Sequence, residues 1–420
     1  MKFCPCPQYL LSFYSWLFYL LQVLWSSCQF ILKSVCLFWA FLRLTSWIAS
    51  FRFNQIISES KCIRSGSPSI YQLTPKKETD GTLKRVTLGV RNPKKLHKTI
   101  LLVGETGTGK STLINTLLNY TMGVTWEDNV WFQIVEDESR WRSQSESQTS
   151  DVIVYQIFGF EGLTLPYSLT IIDTPGYGDT RGIDRDFSMR NILFDLFRSH
   201  DGISKLNVVG LVLKASENRL SDRLRYVYDS AQSLFGNDME NRTVLLITHS
   251  DGLTPRNALK TVEVSKVKCA KNEENEPVHF LFNNCQDQDR TYETVSLQCA
   301  NRVSTNGIKE FTQFLRSTTP QKLDRTVEVL RERIRLTDSM RNKQMNRWLE
   351  ESFQHVIRLE QIALNPDSLS TLVHLDLLIE KMQEKRDTEK VQKLQEIRNR
   401  TARVRGIRDA LFYVRQWQSS

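Results

Sequence analysis

The chain has 420 residues, enough for two or three domains, and its 40% hydrophobic and 25% charged content excludes collagen-like, disordered and small disulfide-stapled classes. The formal net charge of +9 is uneven: residues 1–100 hold 14 Lys/Arg against 3 Asp/Glu, and residues 321–420 hold 20 against 15. The middle is therefore acidic, which argues against a nucleic-acid-binding core, and no nucleic-acid partner is expected.

Residues 3–32 contain no charged side chain, and 18 of the 24 residues from Tyr9 to Leu32 are apolar. As a helix this run reaches about 36 Å, enough for a hydrocarbon core of about 30 Å. A second apolar run, Ser34–Phe51, contains Arg43. Residues 1–51 thus read as one or two membrane segments, with an in-plane segment or a cleaved secretory signal as alternatives. Cys4, Cys6, Cys28 and Cys36 fall here, but no C-x-x-C pair occurs in the chain, so reduced cysteines are expected. Residues 52–98 carry 11 Lys/Arg and 3 Asp/Glu. That charge makes 52–97 read as a basic linker, a cytosolic flank facing anionic lipid. The rest of the chain would then lie in the cytosol on a membrane, or be plainly cytoplasmic if the apolar run does not insert.

Lys98–Val103 is a short apolar run suited to a buried parallel strand. It leads into Gly104-Glu105-Thr106-Gly107-Thr108-Gly109-Lys110-Ser111, followed by Thr112 and a helical pattern with Leu113, Ile114, Leu117 and Leu118 on one face. Strand, glycine loop and helix stand in the order that phosphate binding requires. Glycines let backbone N–H groups converge on phosphate oxygens, and the helix N-terminus favours anions. Lys110 is expected at the β/γ-phosphates and Ser111 on Mg²⁺.

A second strand, Tyr167–Ile172, ends in Asp173-Thr174-Pro175-Gly176. Asp173 is a candidate Mg²⁺ ligand, and the Gly176 amide is placed to sense a γ-phosphate, with the loop Tyr177–Asp186 responding. A third strand, 243–248, is followed by His249-Ser250-Asp251-Gly252. A carboxylate at this strand end can accept two hydrogen bonds from guanine that adenine cannot offer. The plainer reading makes Asp251 a helix cap, which would leave room for an ATPase. Asn283 and Asn284, after the run 278–282, either cap a turn or touch the base.

GETGTGKSTLINTL and LTIIDTPGYGD resemble the septins, and THSDG followed by HFLFNN is similar to the AIG1-type GTPases of immunity-associated proteins. Residues 98–316 resemble an expanded AIG1/septin-like group from fish. The resemblance implies an α/β fold, a Ras-like P-loop NTPase three-layer sandwich with a mostly parallel sheet, binding GTP or GDP with Mg²⁺. It places the nucleotide on residues 104–112, Asp173, Gly176, His249, Ser250, Asp251 and Asn283. It also implies a switch threonine, Thr149, that closes on Mg²⁺ beside Ser111 and Asp173 and makes Thr149 and Gly176 the catalytic candidates. Pairing of two copies across the nucleotide face is implied too, with Arg181 and Arg185 either acting in trans or lying as solvated charges.

The pattern departs from the family in two places. Tyr177 stands where Ras-like enzymes carry a water-orienting glutamine, which implies slow or partner-dependent hydrolysis. The usual Asn-Lys-x-Asp is replaced by Thr248-His249-Ser250-Asp251. The domain is bounded at 98–318. Beyond it, 319–420 reads as a helical tail, with Leu323, Val327, Leu330 and Ile334 at coiled-coil spacing. That tail would find a coiled-coil partner or fold back on the G domain. A break at Asn365-Pro366-Asp367 predicts two helical segments. The function expected is a membrane-associated GTPase switch, with a nucleotide-binding scaffold of little turnover as the alternative.

Overall fold

The computed structural model describes residues 53–80, 83–136, 152–176, 183–199, 202–217, 220–341, 345–364, 369–384 and 388–405. The apolar runs within 1–51, Thr149, Tyr177 and Arg181 lie outside the described residues. No helix among the described residues is long and apolar enough to cross a membrane. The chain divides into 1–61 and a larger unit from Cys62 onward. In the first unit the described residues form a short helix over 53–58.

The larger unit is organised by an eight-stranded sheet. In chain order its strands are β1 (Lys76–Asp80), β2 (Leu83–Leu88), β3 (Leu96–Gly104), β4 (Val152–Ile157), β5 (Tyr167–Asp173), β6 (Val208–Lys214), β7 (Thr243–Thr248) and β8 (His279–Leu281). Their spatial order is β8-β7-β6-β3-β5-β4-β2-β1. The pairs β8–β7, β7–β6, β6–β3, β3–β5 and β4–β2 are parallel, while β5–β4 and β2–β1 are antiparallel. The sheet is therefore mostly parallel, as expected.

Parallel strands with helical crossovers bury both faces, which is why the central strands read as continuous apolar runs. Leu101, Val103, Ile172, Leu211, Leu213, Leu245 and Ile247 share one core with Leu193 of α2 (Ile183–Arg198), Val227 of α3 (Asp222–Gln232) and Val262 of α4 (Arg256–Val264). Their alternates Ile100, Leu102, Val212 and Leu246 are also fully buried. α1 (Lys110–Met122) packs on β3 and β5, and α5 (Thr294–Ser317) packs on β8. Gly307 of α5 lies so close to β8 that a Cβ there would sit 1.8 Å from the Leu281 carbonyl oxygen. Each fully buried Leu, Ile or Val contributes about 1.5–3 kcal/mol.

The basic stretch 52–97 is not a linker throughout. Residues 76–88 form the hairpin of β1 and β2, and β2 extends the sheet in register with β4, Leu83 opposite Val152. Only Val86 of β2 is buried, and all five residues of β1, KKETD, are exposed. A lysine-rich outer strand resists pairing with other chains, so part of the positive charge belongs to the edge of the sheet. Net charge concealed the strand, because an edge strand needs few apolar side chains.

The tail forms α6 (Asp324–Arg341), α7 (Met345–Ile362), α8 (Leu369–Glu384) and α9 (Thr388–Arg405), four helices among the described residues where two segments were expected. Leu323 and Leu330 enter the core of the sheet domain, and α6 packs on α2. Val329, Leu336, Phe353, Leu359, Leu375, Leu378 and Leu394 make a second core among the tail helices. The apolar seam of α6 is thus covered from within the chain.

Candidate functional site

The parallel register brings four strand ends to one edge of the sheet. Gly104 lies opposite Val212, Leu102 opposite Asp173, and Lys214 opposite Thr248. The loop Gly104–Ser111 leaves β3 at this edge and enters α1, whose N-cap is Gly109. Gly107 and Gly109 have φ of 79° and 88°, left-handed values that a side chain would strain. At Gly104 a Cβ would come within 2.5 Å of the Val212 carbonyl oxygen. These glycines are therefore required by the turn itself.

Lys110 is buried, and its Nζ donates to the carbonyls of Gly104 at 3.0 Å and Glu105 at 3.1 Å. The Thr108 hydroxyl donates to the Glu105 carbonyl at 2.8 Å. Ser111 and Thr112 open α1, both half-buried. Asp173 is completely buried at the end of β5. The Thr174 hydroxyl donates to the Leu102 carbonyl at 2.8 Å, fixing the turn after β5 against β3. That turn then meets the phosphate loop: a Cβ on Gly176 would lie 2.6 Å from both N and Cα of Thr106. Thr106 Oγ1 is buried without a hydrogen-bond partner among the described residues.

At the end of β7 the Thr248 hydroxyl donates to the Thr108 carbonyl at 2.6 Å, with the Leu213 carbonyl 3.0 Å away. His249 has φ of 53°, and its ring lies 3.6 Å from the position of a Cβ on Gly109. Burial and then the charge of Lys214 lower its pKa. Ser250 is fully buried, its N–H bonded to the Phe282 carbonyl at 3.0 Å. Asp251 is exposed, and its Oδ1 accepts the Leu253 N–H at 2.9 Å. Asp251 does not cap α4: the N-cap there is Pro255, with no side-chain bond.

Asn283 follows β8. Its N–H donates to Ser304 Oγ at 2.9 Å and its Oδ1 accepts the Cys285 thiol at 3.1 Å. Those bonds hold a turn. The structure brings the loop 104–112, Asp173 and Gly176 together with Thr248 and His249, while Thr149 lies outside the described residues. Sequence reading missed Lys214, although a charged residue closing the apolar run VVGLVLK was the available signal.

The donor set fits a phosphate tail and a hard cation. A buried carboxylate, a serine hydroxyl and a glycine loop opening a helix supply oxygen ligands and anion-binding amides. The described residues hold no cluster of three or more His, Cys, Asp or Glu able to bind a metal on its own.

A glycine loop between a parallel strand and a helix, flanked by a strand ending in a buried aspartate, defines a P-loop nucleotide-binding domain. Residues 98–290 match the AIG1 family, and the chain carries an AIG1-like P-loop GTPase domain. Immune-associated nucleotide-binding protein 13 of Arabidopsis thaliana is 26% identical over 166 residues, 40% of this chain. The match spans 42% of that relative's own length. Among solved structures, Arabidopsis thaliana Toc33 with Mg²⁺ and GMPPNP is 18% identical at a TM-score of 0.34, covering 54% of this chain and 88% of Toc33. Elongation factor SelB of Methanococcus maripaludis, with a GTP analogue, is 12% identical at a TM-score of 0.31, covering 54% of this chain and 36% of SelB.

Proposed function

We propose that the protein binds GTP and GDP with Mg²⁺ and acts as a slow GTPase switch whose turnover depends on pairing of two copies. The contact of Gly176 with Thr106 carries this reading. It joins the turn that senses the terminal phosphate to the loop that grips the phosphates. Lys110 holds the β/γ-phosphates and the loop amides surround them. Ser111, Asp173 and Thr149 hold Mg²⁺, which when bound neutralises phosphate charge. Asp251 reads the guanine edge, with His249, Ser250 and Asn283 shaping the turn around the base.

Movement of Gly176 off Thr106 when the terminal phosphate leaves would be felt by α2, which follows the turn, and by α6 packed on it. Pairing across the nucleotide face follows from the resemblance to AIG1-type domains. The apolar residues 1–51 anchor the protein to a membrane, with the lysine-rich flank of 52–97 facing anionic lipid and the G domain in the cytosol. Tyr177, in place of a water-orienting glutamine, favours a second reading, a nucleotide-bound scaffold with little turnover.

The test is mass identification of the nucleotide carried by purified protein, then single-turnover hydrolysis at rising protein concentration. Bound guanine nucleotide and a rate that climbs with concentration support the switch. A flat, negligible rate selects the scaffold. Adenine nucleotide in the purified protein removes the guanine assignment.

A further inference from the structure

We propose that Lys214 is a second phosphate-binding cation of this site, reaching the nucleotide from β6 across the loop from Lys110. The proposal rests on reading residues 104–111 as a triphosphate loop. Lys214 is the last residue of β6, the strand between β3, which feeds the loop, and β7, which carries Thr248. Its Nζ lies 3.9 Å from the position a Cβ on Gly107 would occupy. Gly107 is exposed and has left-handed φ, so it forms the outer tip of the loop. The ammonium therefore stands at the open side of the loop.

Its situation differs from that of Lys110, whose ammonium is bonded to two loop carbonyls. The Lys214 side chain is half-buried, and its ammonium makes no hydrogen bond or ion pair with any described residue. An ammonium held at the open side of the loop by its strand end is placed to meet an anion at the loop tip with a charge-assisted hydrogen bond.

The neighbouring strand gives an independent reason. In Asn-Lys-x-Asp a lysine occupies the second position, and here that position is His249. The base-side turn thus lacks its own permanent charge, and β6 supplies one from the adjacent strand end. Lys214 also disfavours protonation of His249.

The experiment uses the full chain and its Lys214→Met and Lys214→Arg variants, titrated with GTP and with guanosine in Mg²⁺. Lys214→Met should weaken GTP about fivefold to tenfold, leave guanosine within about twofold, and flatten the salt dependence of GTP binding. Lys214→Arg should restore most of the loss. Unchanged GTP affinity in Lys214→Met, or an equal loss for guanosine, overturns the proposal. The underlying reading fails differently: wild-type protein would then bind neither GTP nor GDP, and both claims would fall together.

Discussion

The hydroxyl of Thr248 donates to the main-chain carbonyl of Thr108 at 2.6 Å, tying the end of β7 to the middle of the phosphate loop. The two residues are 140 positions apart, and both are buried. The bond links the strand that precedes Asp251 to the glycine loop between β3 and α1. Thr248→Val keeps the shape and removes the donor. A buried carbonyl left unsatisfied costs about 1–3 kcal/mol. Denaturant unfolding should show a loss of that size, with GTP affinity reduced severalfold. A variant as stable as wild type would show the bond to be incidental.

Gly176 tolerates no side chain, because a Cβ would collide with the Thr106 backbone at 2.6 Å. Gly176→Ala should push the turn off the loop. GDP affinity is expected to stay within about threefold, since the loop itself is untouched. Discrimination between GTP and GDP, and hydrolysis, should be lost. Equal weakening of both nucleotides would mean that the turn supports the loop rather than sensing the terminal phosphate.

Lys110→Ala removes the one lysine inside the loop. Charge-assisted hydrogen bonds contribute about 1.5–3 kcal/mol, so GTP affinity should fall about tenfold or more. Unfolding free energy of the nucleotide-free protein should also fall, by about 1–3 kcal/mol, because the carbonyls of Gly104 and Glu105 lose their donor. Calorimetry measures both quantities, and unchanged GTP affinity would overturn the role of Lys110.

Asp251→Asn keeps the turn-forming oxygen that accepts the Leu253 N–H, but removes one acceptor and the charge. GTP should lose affinity while ATP stays weak, shrinking the ratio between them about tenfold or more. Competition of the two against a fluorescent guanine nucleotide measures that ratio, and an unchanged ratio would move base reading elsewhere.

His374 of α8 is buried, with Arg190 of α2 and Arg333 of α6 acting on it. Burial first, then the two arginines, push its pKa down from 6.5 to about 4. The folded state keeps this ring neutral where the unfolded chain already binds a proton. Its contribution is therefore fully present above pH 6.5 and is lost as pH falls from 6.5 toward about 4. His97 of β3, also held at about 4 mainly by burial, acts with the same sign. Melting temperature should drop between pH 7 and pH 5, and His374→Gln should reduce that drop without abolishing it. A drop of equal size in the variant would exclude His374 as a source.

Much of the site was legible because its signals are local. Residues 104–111 were legible because glycines, a lysine and a serine stand within eight positions between an apolar run and a helical pattern, and the structure places them as a loop between β3 and α1. Asp173 drew attention because it closes the apolar run of β5, and Asp251 because it follows the run of β7 by three positions. Other features depended on pairing between distant segments. Nothing near Lys76–Leu88 announces that it borders Val152–Ile157, and an exposed, charged edge strand leaves no apolar period to read. The spacing of Leu323 and Leu330 fits a seam for another helix equally well, and only the packing of α6 on α2 shows what covers it.

The amino-acid order by itself determined the glycine loop, the strand ending in Asp173 and the helical character of the described tail residues between Asp324 and Arg405, since each depends on neighbours a few positions away. The tertiary structure decided that β1 and β2 close the sheet, that the tail folds onto the domain, and that Lys214 stands over Gly107. Those outcomes rest on strand register and side-chain contact between segments tens to hundreds of residues apart, where hydrophobic burial chooses among pairings that local pattern leaves equivalent.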